Sequence, residues 1–362
     1  MKIIHLITSL GNGGAEKNLT RLCVSDKKNQ NIIITLIKNN FHKKELKKKE
    51  IITHNLDLLH KPFKGLKKLI HIINSENPKI IMGWMYHSCF MLIIIKIFLN
   101  NRINIIWNIR HSSVIFFKTK IFTFILAKYL LGIFSHIPNK VIYNSFYSKK
   151  IHNSYGFKVS NSKVIHNGFK EKVFRQKKSY KKINFGFIGR YSPQKNFKFL
   201  FKIISLLKKK KLDFKFYLVG ANVNKNNKKL TKLINIFNII DKIVFLKAKT
   251  DISSYYELFD ITISTSTYGE SFPNILAESL LSSTPCLAPN FGENKLILKK
   301  GGLIYKKNDL NDFSRKLHKI ISLKKNKRDW DNFRKQGRFY VANRFSNDKM
   351  ISGYSKIYES LN

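Results

Sequence analysis

Apolar residues in this chain gather in short, evenly spaced runs. Ile3 to Ile7, Ile32 to Ile37, Ile80 to Trp84, Ile103 to Trp107 and Lys140 to Tyr143 each read as a strand buried on both faces. Longer, helix-like stretches separate most of them, and that alternation predicts an α/β domain built on a parallel sheet. The rhythm resumes at Ile183 to Ile188 and continues through Phe214 to Val219, Ile243 to Leu246, Ile261 to Ser264 and Pro285 to Ala288. Between the two series, after Asn167-Gly168, runs a basic, polar stretch with few apolar anchors. The pattern therefore predicts a first domain over 1–170, a linker over 171–182 and a second domain over 183–344. A closing segment, 345–362, spaces Met350, Ile351, Tyr354, Ile357, Tyr358 and Leu361 on one helical face and is expected to pack back toward the first domain.

At 362 residues the chain exceeds the usual size of a single core, in keeping with two domains. Cys23, Cys89 and Cys286 stand far apart, which fits neither a disulfide framework nor a zinc site and points to a reducing, cytoplasmic setting. No run reaches the roughly 18 apolar residues of a membrane-spanning helix. The N-terminal MKIIHLITSL reads as a first strand and not as a signal peptide. The formal net charge of +47 favours polyanions or anionic lipid surfaces, although a joint excess of Lys, Asn and Ile also follows from AT-rich codons. Nucleic acid is not the expected partner. Phe185-Gly186-Phe187-Ile188 matches only half of an RNA-binding pattern, and no zinc finger or homeodomain signature is present.

Three segments carry chemistry. Gly11-Asn12-Gly13-Gly14-Ala15-Glu16-Lys17 follows the first strand and opens a helix, a cradle for a phosphate or a sugar hydroxyl. It is not a dinucleotide fingerprint, since Glu16 replaces the third glycine and no acid ends the second strand. Strand Ile183 to Ile188 runs into Gly189-Arg190-Tyr191-Ser192-Pro193-Gln194-Lys195, where Arg190 can grip a phosphate bidentately and Lys195 serves as a mobile point charge. The richest segment runs from Ser264 to Leu280 and places Glu270 and Ser271 ahead of a helix begun at Pro273, with Glu278 about a turn and a half further in. Two carboxylates there, in a chain with 21 acidic residues, offer acceptors for sugar or ribose hydroxyls. The helix start at Phe272-Pro273-Asn274 favours a phosphate.

These motifs resemble the retaining glycosyltransferases of family 4. The resemblance covers nearly the whole chain and is carried by Gly13-Gly14-Ala15-Glu16, Asn144-Ser145, Asn167-Gly168, Gly189-Arg190 with Lys195, Phe245-Leu246 before Asp251, and Glu270-Ser271-Phe272-Pro273-Asn274 through Glu278. Ser271 stands where many members have glycine, and so does Lys247. The family implies the GT-B fold, two Rossmann-like α/β domains facing a central cleft, the first binding the acceptor and the second the nucleotide-sugar. It further implies that Gly14, Gly189, Arg190, Lys195, Ser271, Phe272, Pro273, Asn274 and Glu278 bind the donor. Arg190 and Lys195 would hold its diphosphate, Glu278 the ribose and Glu270 the transferred sugar, while His111 matches the active-site histidine of the first domain.

Residues 83–88 and 107–112 resemble members that assemble bacterial surface polysaccharides such as lipopolysaccharide. The expected reaction is transfer from a UDP- or GDP-sugar to a lipid-linked or saccharide acceptor, without a cofactor or metal. The one Asp-x-Asp match, Asp329-Trp330-Asp331, lies in a basic helix-like stretch and reads as a solvated face. A glycosidase also needs two carboxylates, but it has no use for a diphosphate grip. Ile115 to Phe134 interleaves Phe, Ile and Leu with Lys118, Lys120 and Lys128, as does either a core helix or one lying on an anionic membrane. Peripheral association with the inner face of the cytoplasmic membrane is the expectation.

Overall fold

The computed structural model describes residues 1–11, 13–39, 41–99, 102–171, 182–249 and 252–361. The expected linker over 171–182 falls almost wholly outside the described residues, as do Asn12 and Asp251. The chain divides into two compact units, one formed by Met1–Gly168 with Asn347–Asn362, the other by Phe169–Ser346.

The first unit holds seven strands: β1 (Lys2–Ile7), β2 (Gln30–Thr35), β3 (Ile52–Asn55), β4 (Ile80–Trp84), β5 (Asn104–Ile109), β6 (Lys140–Tyr143) and β7 (Ser162–Val164). They pair in the order β3-β2-β1-β4-β5-β6-β7, every pair parallel. The second unit holds β8 (Ile183–Ile188), β9 (Phe214–Val219), β10 (Ile243–Leu246), β11 (Ile261–Ile263), β12 (Cys286–Pro289) and β13 (Gly302–Tyr305), in the order β10-β9-β8-β11-β12-β13, again all parallel. Both sheets are doubly wound. The winding reverses between β1 and β4 in one and between β8 and β11 in the other, and at such points a crevice opens beyond the carboxyl ends of the strands.

Central strands are fully buried, as apolar runs covered on both faces must be. Phe185 and Phe187 of β8 belong to that core, so the half-matched RNA pattern is packing. Three strands that the apolar pattern does not announce, β3, β7 and β13, all lie at sheet edges and are short and partly exposed. The second strand begins two residues earlier than its apolar run. Leu36 and Ile37 lie beyond its end, yet still donate to the Ile7 and Thr8 carbonyls.

The helix Asn347–Glu359 buries Met350, Tyr354, Ile357 and Tyr358 within the first unit. Its Tyr354 hydroxyl accepts from Asn108 Nδ2 at 2.7 Å and from Arg110 Nη2 at 2.9 Å, while the Arg110 guanidinium lies over Trp84, 5.1 Å from the ring centroid.

Two buried histidines lock this unit. Trp84 Nε1 can only donate, so His5 Nδ1 accepts from it at 3.2 Å and His5 Nε2 carries the proton toward Asn31 Oδ1 at 2.8 Å. His152 Nδ1 must donate to the Ser148 carbonyl at 2.8 Å, so its Nε2 accepts from the Tyr86 hydroxyl at 2.9 Å. Burial, the largest cause, pulls both imidazoles down to about 4. Their contribution is therefore complete above pH 6.5 and falls away as the pH drops toward 4, because only the unfolded chain takes up the protons. Urea unfolding of a Trp330→Phe variant, followed by Trp84 and Trp107 fluorescence, should lose about 2 kcal/mol per histidine between pH 7.5 and 5. A flat profile would show that the two imidazoles are not held neutral.

Candidate functional site

In the second unit β8 and β11 are neighbours, so the loops that follow them lie side by side although some 70 residues apart in sequence. After β8, Gly189 donates to the Val219 carbonyl at 2.9 Å, and Pro193–Lys195 form a single tight turn. Asn196 takes a left-handed conformation, φ 51°, and its side chain caps the helix Phe197–Lys209. After β11 the run Ser264 to Thr267 is sewn to that turn. Thr265 donates to the Lys195 carbonyl at 2.6 Å, Thr267 N–H to the Gln194 carbonyl at 3.1 Å, and buried Tyr305 to the Ser264 carbonyl at 2.6 Å.

The two loops meet at an ion pair. Lys195 Nζ lies 2.5 Å from Glu270 Oε1, and the Ser266 hydroxyl donates to the same oxygen at 3.3 Å. Only 12% and 16% of the two side chains are exposed, so the pair is largely shielded from solvent. The lysine stem lies across Gly189, where a Cβ would stand 3.0 Å from Lys195 Cδ and Cε. Gly292, at φ +56°, lets a neighbouring turn reach the same loop, since a Cβ there would stand 2.8 Å from the Glu270 carbonyl oxygen. Arg190 is exposed and has no carboxylate partner among the described residues. Burial raises the Tyr268 phenol, and the nearby Arg190 charge opposes that rise.

The helix after the Glu270 loop is Asn274–Leu281 with Pro273 as its N-cap. Ser271 is buried, and its carbonyl accepts from Glu293 N–H at 3.2 Å. Phe272 is buried too. Its ring packs against Phe169 and Phe345 in the core, which leaves only its backbone for a ligand. Pro273, also buried, has no N–H to offer. Glu278 sits in the second turn of the helix, 8% exposed, with the Tyr256 hydroxyl 3.4 Å from its Oε2. A concavity of about 770 Å³ in this unit lies elsewhere. It is lined by Tyr191, Ser192 and a run of asparagines, and by none of Arg190, Lys195, Glu270 or Glu278.

In the first unit the crevice between β1 and β4 holds a cavity of about 230 Å³. Thr8 and Ser9 line it from the end of β1, Ala15 and Glu16 from the helix Gly14–Ser25 that Gly14 begins, and Tyr86 and His87 from the helix Met85–Ile95. Met85 turns the chain there at φ +67°, a conformation that costs a side-chain-bearing residue energy and clusters at sites. His111 closes the cavity from beyond β5, half-buried, with Tyr86 edge-on to its ring at 6.2 Å. Ser145 caps the helix Phe146–Asn153, and Ser148 in its first turn donates to the His111 carbonyl at 2.6 Å, so the Asn144-Ser145 motif fixes the histidine's loop. Burial and then Lys120 lower the His87 imidazole.

Glu16, Tyr86, Thr119 and Thr123 belong to this cavity, and none is a site residue by sequence reasoning alone. The Gly13-Gly14-Ala15-Glu16 run was the available signal for the first of them. Among the described residues no group of three His, Cys, Asp or Glu is placed to hold a metal ion. Asp331 is not simply solvated: it pairs with Arg334 at 2.9 Å on the helix Lys327–Arg344, where Trp330 is buried.

Residues 169–337 match the family model of the glycosyl transferases group 1. Over 247 residues the chain is 24% identical to an uncharacterized 41.2 kDa protein in the cps region of Klebsiella pneumoniae, covering 64% of each. The chain thus spans just under two thirds of that relative's length. Two solved structures align over 99% of the chain. Anabaena HepE in complex with UDP-glucose does so at 18% identity and a TM-score of 0.84, covering 100% of that chain; the lipopolysaccharide outer core galactosyltransferase WaaB does so at 15% and 0.74, covering 99%.

At these identities the likeness establishes the architecture, two parallel-sheet α/β domains of the GT-B kind. Taken with the family match over 169–337, it supports a glycosyltransferase. Tyr305→Phe removes the donor to the Ser264 carbonyl and leaves that buried acceptor unpaired. Urea unfolding should register a loss of about 1–3 kcal/mol, with the ring's packing retained.

Proposed function

We propose that this chain is a retaining glycosyltransferase that moves a sugar from a UDP- or GDP-sugar onto a saccharide or lipid-linked acceptor during assembly of a cell-surface polysaccharide. It would work in the cytoplasm as a peripheral protein at the inner membrane face. The observation that carries this reading is the Lys195–Glu270 pair beside Arg190, at the reversal point of the second sheet. One small region there offers cations for a diphosphate and carboxylates for hydroxyls, the two halves of a nucleotide-sugar. UDP-glucose in the HepE complex favours uridine as the base, and the cps-region relative and WaaB favour a surface polysaccharide.

Arg190, exposed and without a carboxylate partner among the described residues, grips the diphosphate through its planar fork. Lys195 has three N–H donors, so it can keep Glu270 and still reach a phosphate oxygen. Glu270, fixed by Lys195 and Ser266, accepts from a hydroxyl of the transferred sugar. Glu278 accepts from the ribose hydroxyls. The bond from the anomeric carbon to the phosphate oxygen breaks while the acceptor oxygen bonds that carbon from the same face. The acceptor's proton passes to the departing phosphate, so no protein nucleophile is required. Charge on the leaving group grows in the transition state, which puts most of the rate in the cations. His111 and Glu16 would line the acceptor side of the reaction.

If these roles hold, Arg190→Ala lowers kcat by at least a hundredfold. Glu278→Ala instead raises the donor KM about tenfold or more and leaves kcat within a few-fold. A chelator leaves the rate unchanged, since the diphosphate is held by side chains. A thermal-shift panel of UDP, GDP and their glucose conjugates comes first. UDP should stabilise the wild type and not Glu278→Ala, and no stabilisation by any of the four would sink the proposal.

A further inference from the structure

The first unit carries an apolar surface that its core does not use. Among the described residues, 11 of the 21 exposed large hydrophobic side chains fall between Ile94 and Ile133. The elements that carry them touch one another: the helix Met85–Ile95 packs against the segment Leu126–Ile133, and Phe90 meets Phe122 at 6.2 Å. The most exposed are Phe117 at 95%, Ile97 at 81%, Ile133 at 70% and Ile121 at 58%. The sequence pattern allows a single helix over Ile115 to Phe134, but the structure breaks it. A tight turn at Phe116–Lys118 holds Phe117 at φ 39°, and a widened, π-type turn spans Leu126–Leu130. A strained backbone that lifts a phenylalanine ring into solvent has no folding benefit to explain it.

The same segment has a second side. Thr119 and Thr123 line the 230 Å³ cavity with His111 and Glu16, and His87 bridges the two sides. His87 Nε2 lies 3.4 Å from the Thr123 hydroxyl, and its ring lies 5.8 Å from Phe122 on the apolar face. Thr123, His87 and Phe122 therefore stand between a sugar-sized cavity and a patch of aromatic and branched side chains.

Charge identifies what covers that patch. Lys120 and Lys128 stand among the apolar residues, Lys128 with its ammonium 5.3 Å from the Phe124 ring and 5.6 Å from Tyr129, and Arg102 is exposed nearby in sequence. Rings and branched chains ringed by lysines suit the headgroup boundary of an anionic bilayer. A second copy of the chain suits it poorly, since each copy brings a formal charge of +47 to the contact.

Resting on the glycosyltransferase reading, we infer that residues 94–98 and 115–133 insert into the outer layer of an anionic bilayer, so that the His111 cavity opens at headgroup level and meets its acceptor as a sugar carried on a lipid. Insertion by rings predicts binding that outlasts salt, unlike attraction by lysines alone. The test uses vesicles of phosphatidylglycerol and phosphatidylethanolamine in 0.5 M NaCl, with the wild type and the variant Ile97→Ser, Phe117→Ser, Ile121→Ser. The wild type should sediment with the vesicles and the variant should bind at least tenfold more weakly, with an unchanged melting temperature and an unchanged shift by UDP. A Phe117→Trp protein should be quenched by lipids brominated in the acyl chain.

Release of the wild type by 0.5 M NaCl, equal binding by the variant, or absence of quenching would each overturn the inference. So would a wild-type dimer in solution that the variant abolishes, since the patch would then belong to a second copy. Should UDP shift neither protein while the vesicle results hold, the donor reading fails and the bilayer contact stands.

Discussion

A parallel sheet cannot be closed by tight turns, so each strand must be followed by a crossover that covers one face or the other. Covering both faces requires the winding to reverse once, and beyond the strand ends at that reversal two loops diverge and leave open backbone. Both sheets of this protein obey that constraint, and each group of candidate site residues lies where it sends them. Gly11–Gly14 and Met85–His87 follow the two strands flanking the first reversal; Arg190 with Lys195 and Thr265 with Glu270 follow the two flanking the second. The same burial that makes the central strands unambiguous in sequence thus places these candidate residues beyond the strand ends.

Legibility followed burial closely. Strands such as Ile80–Trp84 and Ile183–Ile188, apolar on both faces, could be read residue by residue. The edge strands Ile52–Asn55, Ser162–Val164 and Gly302–Tyr305 could not, because an edge needs little apolar surface and carries polar residues that look like loop. In the site, the Gly189 to Lys195 turn and the Glu270 to Glu278 segment were visible because their charges break an apolar pattern. Their joining was not visible, since the Lys195–Glu270 contact depends on which strands are neighbours. The burial of the Phe272 ring was equally hidden, because its neighbours in sequence are polar.

The pairing of Lys195 with Glu270 also solves a problem of excess charge. A loop with two bare cations in a chain of +47 would be repelled by its surroundings. Glu270 neutralises one of them internally and is held in turn by it, so neither side chain has to be ordered when a ligand arrives. Arg190 remains as the responsive charge. The arrangement divides labour between a preset pair and one exposed guanidinium.

The first unit is discontinuous: the chain leaves it at Gly168 and comes back with the helix from Asn347, whose Tyr354 meets Asn108 and Arg110. During synthesis the second unit, a single uninterrupted stretch, can close as soon as it leaves the ribosome. The first is completed only by its last helix, after those intervening residues are translated, which takes roughly ten seconds or more at about 5–20 residues per second. Until then Trp84, Arg110 and the open flank of the first sheet need some other shelter, so the unit begun first is completed last.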